Sequence, residues 1–282
     1  MAVLLSGKEL AAQIKEEVRE EVGRWKAKGV TPKLVAVLVG DDPAAVVYAQ
    51  AKEKALKSVG MAYELVKFSA TARQEEVEAK LKELSSSPEV HGIILEFPLP
   101  PHLNKDRLLS ALSPLKDVDG LTYENRGRLL SGEEGLFPAT PQSCLAILER
   151  HGIEVAGKHV VVVGRGETVG RPLLPLLLRK DATVTVCHSR TVDLGYHTRQ
   201  AEILIVAAGR PGLITGDMVK PGAVVVDAGI NQTEQGICGD VDFPSVEPVA
   251  GYLTPVPGGV GSLTTVMLMK NLLKAMSLQG CS

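Results

Sequence analysis

Tyr48 and Lys52 stand four positions apart in Pro43–Val59, where the apolar spacing predicts a helix, so both side chains leave one helix face. A lysine there can shuttle a proton if burial or a nearby cation favours its neutral amine. A phenol beside it offers a hydrogen bond and a stacking surface. Glu96 closes the apolar run that starts at Gly92 and opens the stiff turn Phe97-Pro98-Leu99-Pro100-Pro101. In open α/β sheets, ligands gather outside the carboxyl ends of strands, which is where Glu96 would stand. Lys116-Asp117-Val118-Asp119-Gly120 adds two more carboxylates in an acidic turn, although either aspartate could simply cap a helix or turn.

A second constellation begins at the apolar strand Val160–Val163 and runs through Gly164-Arg165-Gly166-Glu167-Thr168-Val169-Gly170 into a helix. Gly164 would permit a tight turn, Gly166 would let backbone N–H groups approach a pyrophosphate, and Gly170 would allow close helix-to-strand contact. The third glycine falls one residue later than in the usual dinucleotide fingerprint. An NAD site usually has an acidic residue at the end of the next strand, to accept the ribose hydroxyls. Here that end reads Cys187-His188-Ser189-Arg190, without a carboxylate. Ser189, Arg190 and Arg165 are suited to a 2′-phosphate instead, which favours NADP.

Both constellations need α/β layering to hold them. In the first half, helices are predicted at Ser6–Lys28, Pro43–Val59, Gln74–Leu84 and near Lys105–Leu112, with strands at Lys33–Val39, Tyr63–Phe68 and Val90–Leu95. Residues Ser113 to Thr140 lose periodicity and gather Pro, Gly and charge, as a site loop or domain junction does. The second half alternates strand His159–Val163, helix Thr168–Lys180 and strands Thr183–Cys187, Ile203–Ala207 and Ala223–Asp227, the order of a doubly wound nucleotide-binding sheet. A boundary near Pro141 gives an N-terminal α/β domain over 1–140 and a Rossmann-type domain over 141–262. The closing helix, within 263–282, is expected to pack back on the first domain.

At 282 residues, with 45% hydrophobic and 23% charged residues, the chain has the balance of a globular protein and excludes disordered and fibrous classes. A net charge of -2 removes any general electrostatic case for nucleic-acid binding, and no apolar run reaches membrane-spanning length. The N-terminus lacks the pattern of a secretory signal, so a cytoplasmic protein is expected. Cys144, Cys187, Cys238 and Cys281 lie too far apart in sequence for a metal knuckle or redox pair, and no metal is expected.

Taken together, these segments resemble the bifunctional methylenetetrahydrofolate dehydrogenase/methenyltetrahydrofolate cyclohydrolase family. The resemblance rests on Tyr48 with Lys52, Pro98-Leu99-Pro100, Lys116-Asp117-Val118-Asp119-Gly120, Pro138-Ala139-Thr140-Pro141 and the Gly164 turn with Val169-Gly170-Arg171-Pro172. Asp227-Ala228-Gly229-Ile230-Asn231, Gly239-Asp240-Val241 and Thr254-Pro255-Val256-Pro257-Gly258-Gly259-Val260-Gly261 complete it, in order along nearly the whole chain. It implies a folate-binding catalytic domain and an NADP domain with the active-site cleft between them, a homodimer built through the cofactor domains, and a place in one-carbon metabolism. It also implies that Lys52 moves protons in the hydrolytic step, that Tyr48 stacks on folate and orients the lysine, and that Asp119 anchors the pterin. Pro257, Gly258 and Gly261 would form the folate-facing turn. Arg165, Ser189 and Thr264 would touch the cofactor, and Ile230 would lie on its nicotinamide side.

This chain departs from the family at three places. The family usually has Gln-Leu where Glu96-Phe97 stand; an ionised Glu96 would hold Lys52 as ammonium and weaken the hydrolytic step or shift it to higher pH, whereas a protonated Glu96 would mimic the glutamine. Gly166 replaces a common Ser, and Ser262-Leu263 replace Pro-Met. Three rival readings remain at this level: a shikimate-dehydrogenase-like oxidoreductase, a folate-binding protein that has lost its chemistry, and a dehydrogenase without cyclohydrolase activity.

Overall fold

A computed structural model describes residues 1–234 and 236–281 of the chain. Two compact units emerge, one made of Ile14–Phe137 with the chain from Leu268 onward, the other of Met1–Gln13 with Pro138–Met267. The chain opens with a two-residue strand, β1 (Val3–Leu4), and helix α1 (Lys8–Ala27), which buries Ile14, Val18 and Val22 at four-residue spacing.

The first of these units has a three-stranded parallel sheet. Strand β2 (Lys33–Val39) lies in the middle, flanked by β3 (Ala62–Phe68) and β4 (Gly92–Leu95). Every side chain from Leu34 to Val39 is buried, because a central parallel strand is covered on both faces; this is why it reads as one apolar run. Helix α2 (Pro43–Ser58) joins β2 to β3, capped by the Asp42 carboxylate, which accepts from the Ala45 N–H at 2.9 Å, with Pro43 in the first turn. Helix α3 (Gln74–Ser86) and the short helices α4 (Lys105–Ser110) and α5 (Tyr123–Ser131) complete the unit. Val77, Leu81 and Leu84 of α3 and Leu108 of α4 pack on Val35, Val37, Ile93 and Leu95. Helix α5 lies inside the stretch expected to be aperiodic. Its only buried residues are Asn125 and Leu129, and Gly127 interrupts it, so it lacks the apolar repeat that announces a helix.

The other unit begins with α6 (Ala139–Arg150), then alternates β5 (His159–Val163), α7 (Gly170–Leu178), β6 (Thr183–Cys187), α8 (Leu194–Thr198), β7 (Ile203–Val206) and β8 (Val224–Asp227). A small antiparallel hairpin of β9 (Asn231–Thr233) and β10 (Gly236–Cys238), the single turn α9 (Phe243–Val246) and β11 (Tyr252–Leu253) follow. The sheet order is β1-β11-β8-β7-β5-β6, with every pairing parallel. Strand β5 has β6 on one side and β7 on the other, so the chain leaves it in opposite directions. Its carboxyl end is therefore the switch point at which doubly wound sheets bind ligands.

Against a single boundary near Pro141, the first thirteen residues belong with the six-stranded sheet. The Val3 N–H donates to Gly251 O at 2.8 Å, the Leu5 N–H to Leu253 O at 2.9 Å, and the Leu5 side chain is fully buried. A strand of two residues is too short to carry an alternation pattern. The closing helix, α10 (Thr264–Leu278), starts in this unit and belongs to the three-stranded unit from Leu268 onward. No helix among the described residues is long and apolar enough to cross a membrane.

Candidate active site

In the three-stranded unit, Lys52 and Glu96 meet. The Lys52 ammonium on α2 donates to both Glu96 carboxylate oxygens, each at 2.7 Å, and the glutamate side chain is only 7% exposed. Glu96 is held at the end of β4 because its own N–H still donates to Val37 O at 2.9 Å, one residue beyond the strand. A cis peptide, Phe97-Pro98, follows. Tyr48, one helical turn before Lys52, is exposed.

The acidic turn separates into residues that build and one that is left for chemistry. Asp117 accepts from the Thr122 N–H at 2.7 Å and from the Asn125 side-chain amide at 3.1 Å, tying down the start of α5. Lys116 is buried, its ammonium donating to main-chain oxygens of Ser87 and Leu84. The Asn271 amide of α10 donates to Val118 O and Phe137 O, both at 2.7 Å, and fixes the turn from behind. Gly120 has φ +65°, and a Cβ there would come within 2.6 Å of Leu136 O. Burial pushes the Asp119 carboxyl up to about 6; the Lys52 ammonium opposes this, while Asp117 and Glu96 add to it. Lys52, Glu96 and Asp119 thus form one electrostatic group. Beside it the Tyr63 hydroxyl on β3 is buried, and burial, then the charges of Glu96 and Glu53, raise it above the ordinary phenol range.

In the six-stranded unit, Gly164 ends β5 with φ +118°, and a Cβ there would overlap the Ala207 carbonyl at the end of β7. A Cβ on Gly170, the first residue of α7, would overlap the Gly164 carbonyl, so strand, turn and helix meet with no room for a side chain. Gly166 differs from both: nothing lies within 4 Å of a Cβ at that position. Arg165, Ser189 and Arg190 are exposed at the carboxyl ends of the paired strands β5 and β6. The loop after β6 is shaped by its own polar groups, the His188 N–H donating to Thr191 Oγ1 at 2.8 Å and the Arg190 N–H to the His188 ring at 3.2 Å. No carboxylate stands at 187–190. A pyrophosphate at the start of α7 and a phosphate beside two guanidinium groups fit these residues.

The turn Pro257–Gly261 also belongs to this unit. The Gly7 N–H donates to Gly258 O at 2.9 Å, and a Cβ on Gly7 would overlap the Gly259 carbonyl. A Cβ on Gly261 would lie 3.5 Å from Ile230 Cδ1, and Thr264 Oγ1 donates to Gly261 O at 3.1 Å, so Ile230, Gly261 and Thr264 are neighbours. Sequence reasoning passed over Asn125, Asn271 and Gly7, whose roles depend on contacts remote in the chain. It noted the Asp227 and Asp240 motifs without assigning them a task.

Comparison with known proteins agrees with this geometry. Residues 5–119 match the description "Tetrahydrofolate dehydrogenase/cyclohydrolase, catalytic domain" and residues 138–280 match "Tetrahydrofolate dehydrogenase/cyclohydrolase, NAD(P)-binding domain". The chain belongs to the tetrahydrofolate dehydrogenase/cyclohydrolase family. Among relatives of this family, the bifunctional protein FolD 2 of Desulfitobacterium hafniense is 59% identical over 279 residues, covering 99% of this chain and 98% of its own. The crystal structure of the FolD methylenetetrahydrofolate dehydrogenase/cyclohydrolase of Campylobacter jejuni superposes with a TM-score of 0.97 at 43% identity, over 99% of this chain and all of that one. The Trypanosoma brucei enzyme, solved with NADP cofactor and an inhibitor, gives 0.93 at 36% identity, over 100% of this chain and 99% of its own.

Proposed function

We propose that this chain oxidises 5,10-methylenetetrahydrofolate to 5,10-methenyltetrahydrofolate with NADP and hydrolyses that product to 10-formyltetrahydrofolate. Full-length kinship with bifunctional enzymes supports the pair of reactions. The single observation that carries the site is the Lys52 ammonium seated on a buried Glu96 carboxylate.

In this reading Tyr48, Lys52 and Asp119 meet the folate, and Pro257, Gly258 and Gly261 form a folate-facing turn. Asp119 accepts two parallel hydrogen bonds from the aminopyrimidine edge of the pterin, and Tyr48 stacks on the ring. NADP, when bound, accepts the hydride. Gly166 would let backbone N–H groups at the start of α7 approach its pyrophosphate, with Gly164 and Gly170 shaping the turn; Arg165, Ser189 and Arg190 would hold its 2′-phosphate, and Ile230 and Thr264 would bound the nicotinamide side. As the methylene carbon loses hydride, the lone pair of the adjacent folate nitrogen forms the new C=N bond, so positioning does most of the catalysis. In the hydrolytic step, water adds to the methenyl carbon. Lys52 accepts one proton of that water and returns it to the departing ring nitrogen, while the second water proton passes to solvent. Glu96 acts on this step through Lys52.

The test is a paired assay on purified protein: growth of the methenyl absorbance with methylenetetrahydrofolate and NADP or NAD, then decay of added methenyltetrahydrofolate. Both signals, with NADP preferred, are expected. Methenyl product whose decay never exceeds the uncatalysed rate would leave a dehydrogenase alone, and silence in both with folate still bound would leave a binding protein. The same reading makes the protein a cytoplasmic homodimer assembled through its cofactor-binding unit; a monomer mass by light scattering would overturn that part.

A further inference from the structure

Two buried carboxylates in the six-stranded unit have no part in the chemistry above. Asp240 is fully buried and accepts four hydrogen bonds. Its Oδ2 takes the N–H groups of Ala208 at 2.6 Å and Gly209 at 2.8 Å, and its Oδ1 takes the Arg210 N–H and the Asn231 side-chain amide, both at 2.8 Å. Asp227, at the end of β8 and 3% exposed, accepts from the N–H groups of Gly229 at 2.9 Å, Asp240 at 3.1 Å and Val241 at 2.9 Å. The Asp227 N–H in turn donates to the Thr254 hydroxyl at 2.7 Å, just ahead of the turn that carries Pro257.

The glycines around these carboxylates are fixed by them. A Cβ on Gly229 would overlap the Asp240 carboxylate, and one on Gly239 would overlap that of Asp227. Three loops are therefore clamped on two side chains: 208–210 after β7, 229–231 after β8 and 239–241 before α9. The loops after β7 and β8 leave the carboxyl ends of the two strands that follow β5 in the sheet order, on the edge where a doubly wound sheet binds its ligand. Ile230 stands between Gly229, which Asp227 holds, and Asn231, which Asp240 holds. Neither carboxylate reaches solvent, and their oxygens are spent on backbone and amide donors, so a role in proton transfer has no support in the contacts.

We propose that Asp240, itself held by Asp227, is a positioning residue for the nicotinamide side of the cofactor, setting the loops 208–210 and 229–231 against which the nucleotide rests. This rests on the reading of the unit as the NADP site. Replacing one oxygen of Asp240 by NH2 turns a donor toward two N–H donors, so those loops lose their anchor while side-chain volume is kept. The hydrolytic step uses no nucleotide and supplies an internal control that overall destabilisation would not leave intact.

The experiment compares wild type and Asp240→Asn for KM and kcat with NADP, for KM with methylenetetrahydrofolate, for the rate of methenyltetrahydrofolate hydrolysis and for the rise in Tm on adding NADP. Asp240→Asn should raise KM for NADP by about tenfold and lose most of the NADP-induced Tm rise, with hydrolysis within about twofold of wild type. A folded Asp240→Asn with unchanged KM for NADP overturns the proposal, as does an equal loss of both activities. If Asp240→Asn does not fold, Asn231→Ala, which removes one of the four bonds, decides: a rise of about threefold in KM for NADP supports the anchor and no change refutes it. A wild type that fails to reduce NADP at all would refute the assigned function instead.

Discussion

Changing Glu96 to Gln should move the cyclohydrolase pH profile to lower pH and leave the dehydrogenase nearly untouched. The Lys52 ammonium makes two contacts of 2.7 Å to a carboxylate that is 7% exposed, while its own side chain is 22% exposed. At an effective dielectric of about 20 and a charge separation of about 4 Å, the gross attraction is about 4 kcal/mol, all of it favouring the charged amine. Partial burial of the ammonium opposes part of this. Glutamine keeps an acceptor for the lysine and removes the charge. With that attraction gone, hydrolysis should extend to lower pH, and at the acid end of the profile its rate should exceed that of wild type by at least about tenfold. The measurement is initial decay of methenyltetrahydrofolate in wild type and Glu96→Gln from about pH 6 to about pH 10, corrected for the uncatalysed rate. Because hydride transfer depends on positioning, kcat with NADP should stay within about threefold. Profiles that superimpose would refute the argument, for they would mean that the Glu96 charge does not set the protonation of Lys52.

Because burial holds the Asp119 carboxyl near 6, kcat/KM for methylenetetrahydrofolate should fall as pH drops through about 6, where the protonated acid can no longer accept two bonds from the pterin; a flat acid limb down to about pH 5 would count against Asp119 as the anchor. Gly164→Ala should abolish NADP binding and lower stability by more than about 2 kcal/mol, since φ +118° and the Ala207 carbonyl both exclude a side chain. Gly166→Ser should fold with Tm unchanged, and a thermal scan of both variants separates the two glycines. Arg190→Ala should reduce the preference for NADP over NAD by about tenfold in kcat/KM, and an unchanged ratio would remove Arg190 from 2′-phosphate recognition.

Much of the frame was legible in the residues because the central parallel strands β2 and β5 are buried on both faces and the edge strand β6 is β-branched. Lys33–Val39, His159–Val163 and Thr183–Cys187 fall where their apolar and β-branched runs put them. Strands β1 and β11, two residues each, escaped because the alternation rule has nothing to count at that length. Helix α5 escaped because its anchoring is polar, through Thr122, Asn125 and Asp117, and polar anchoring leaves no period. The same division holds at the site. The pairing of Lys52 with Glu96 joins residues 44 positions apart and was inferred only through the resemblance, while the Gly164 turn announced itself locally. Gly166 shows the limit of motif reading: it stands in the fingerprint, yet the space around it demands no glycine.

The two units meet their chemical tasks by different physical means. In the six-stranded unit the buried carboxylates of Asp227 and Asp240 accept from main-chain N–H groups, and so fix loops 208–210, 229–231 and 239–241. Burial pushes Asp227 up to about 6, against the pull of its three backbone donors and with the Asp240 charge adding to the rise. Its folded value therefore lies above the unfolded one, so folding gains from this group in acid and loses that gain as pH rises from about 4 through about 6, by about 3 kcal/mol at neutrality. In the three-stranded unit the Lys52 ammonium meets the buried Glu96 carboxylate, an arrangement that contributes little net stability compared with an apolar pair. Neither arrangement is explained by folding, since well-packed apolar residues would serve the core at least as well. On the proposed reading, what each secures is placement at a reacting atom: loop position for hydride transfer, and an ammonium held at the hydrolytic site, where adding water needs a proton carrier.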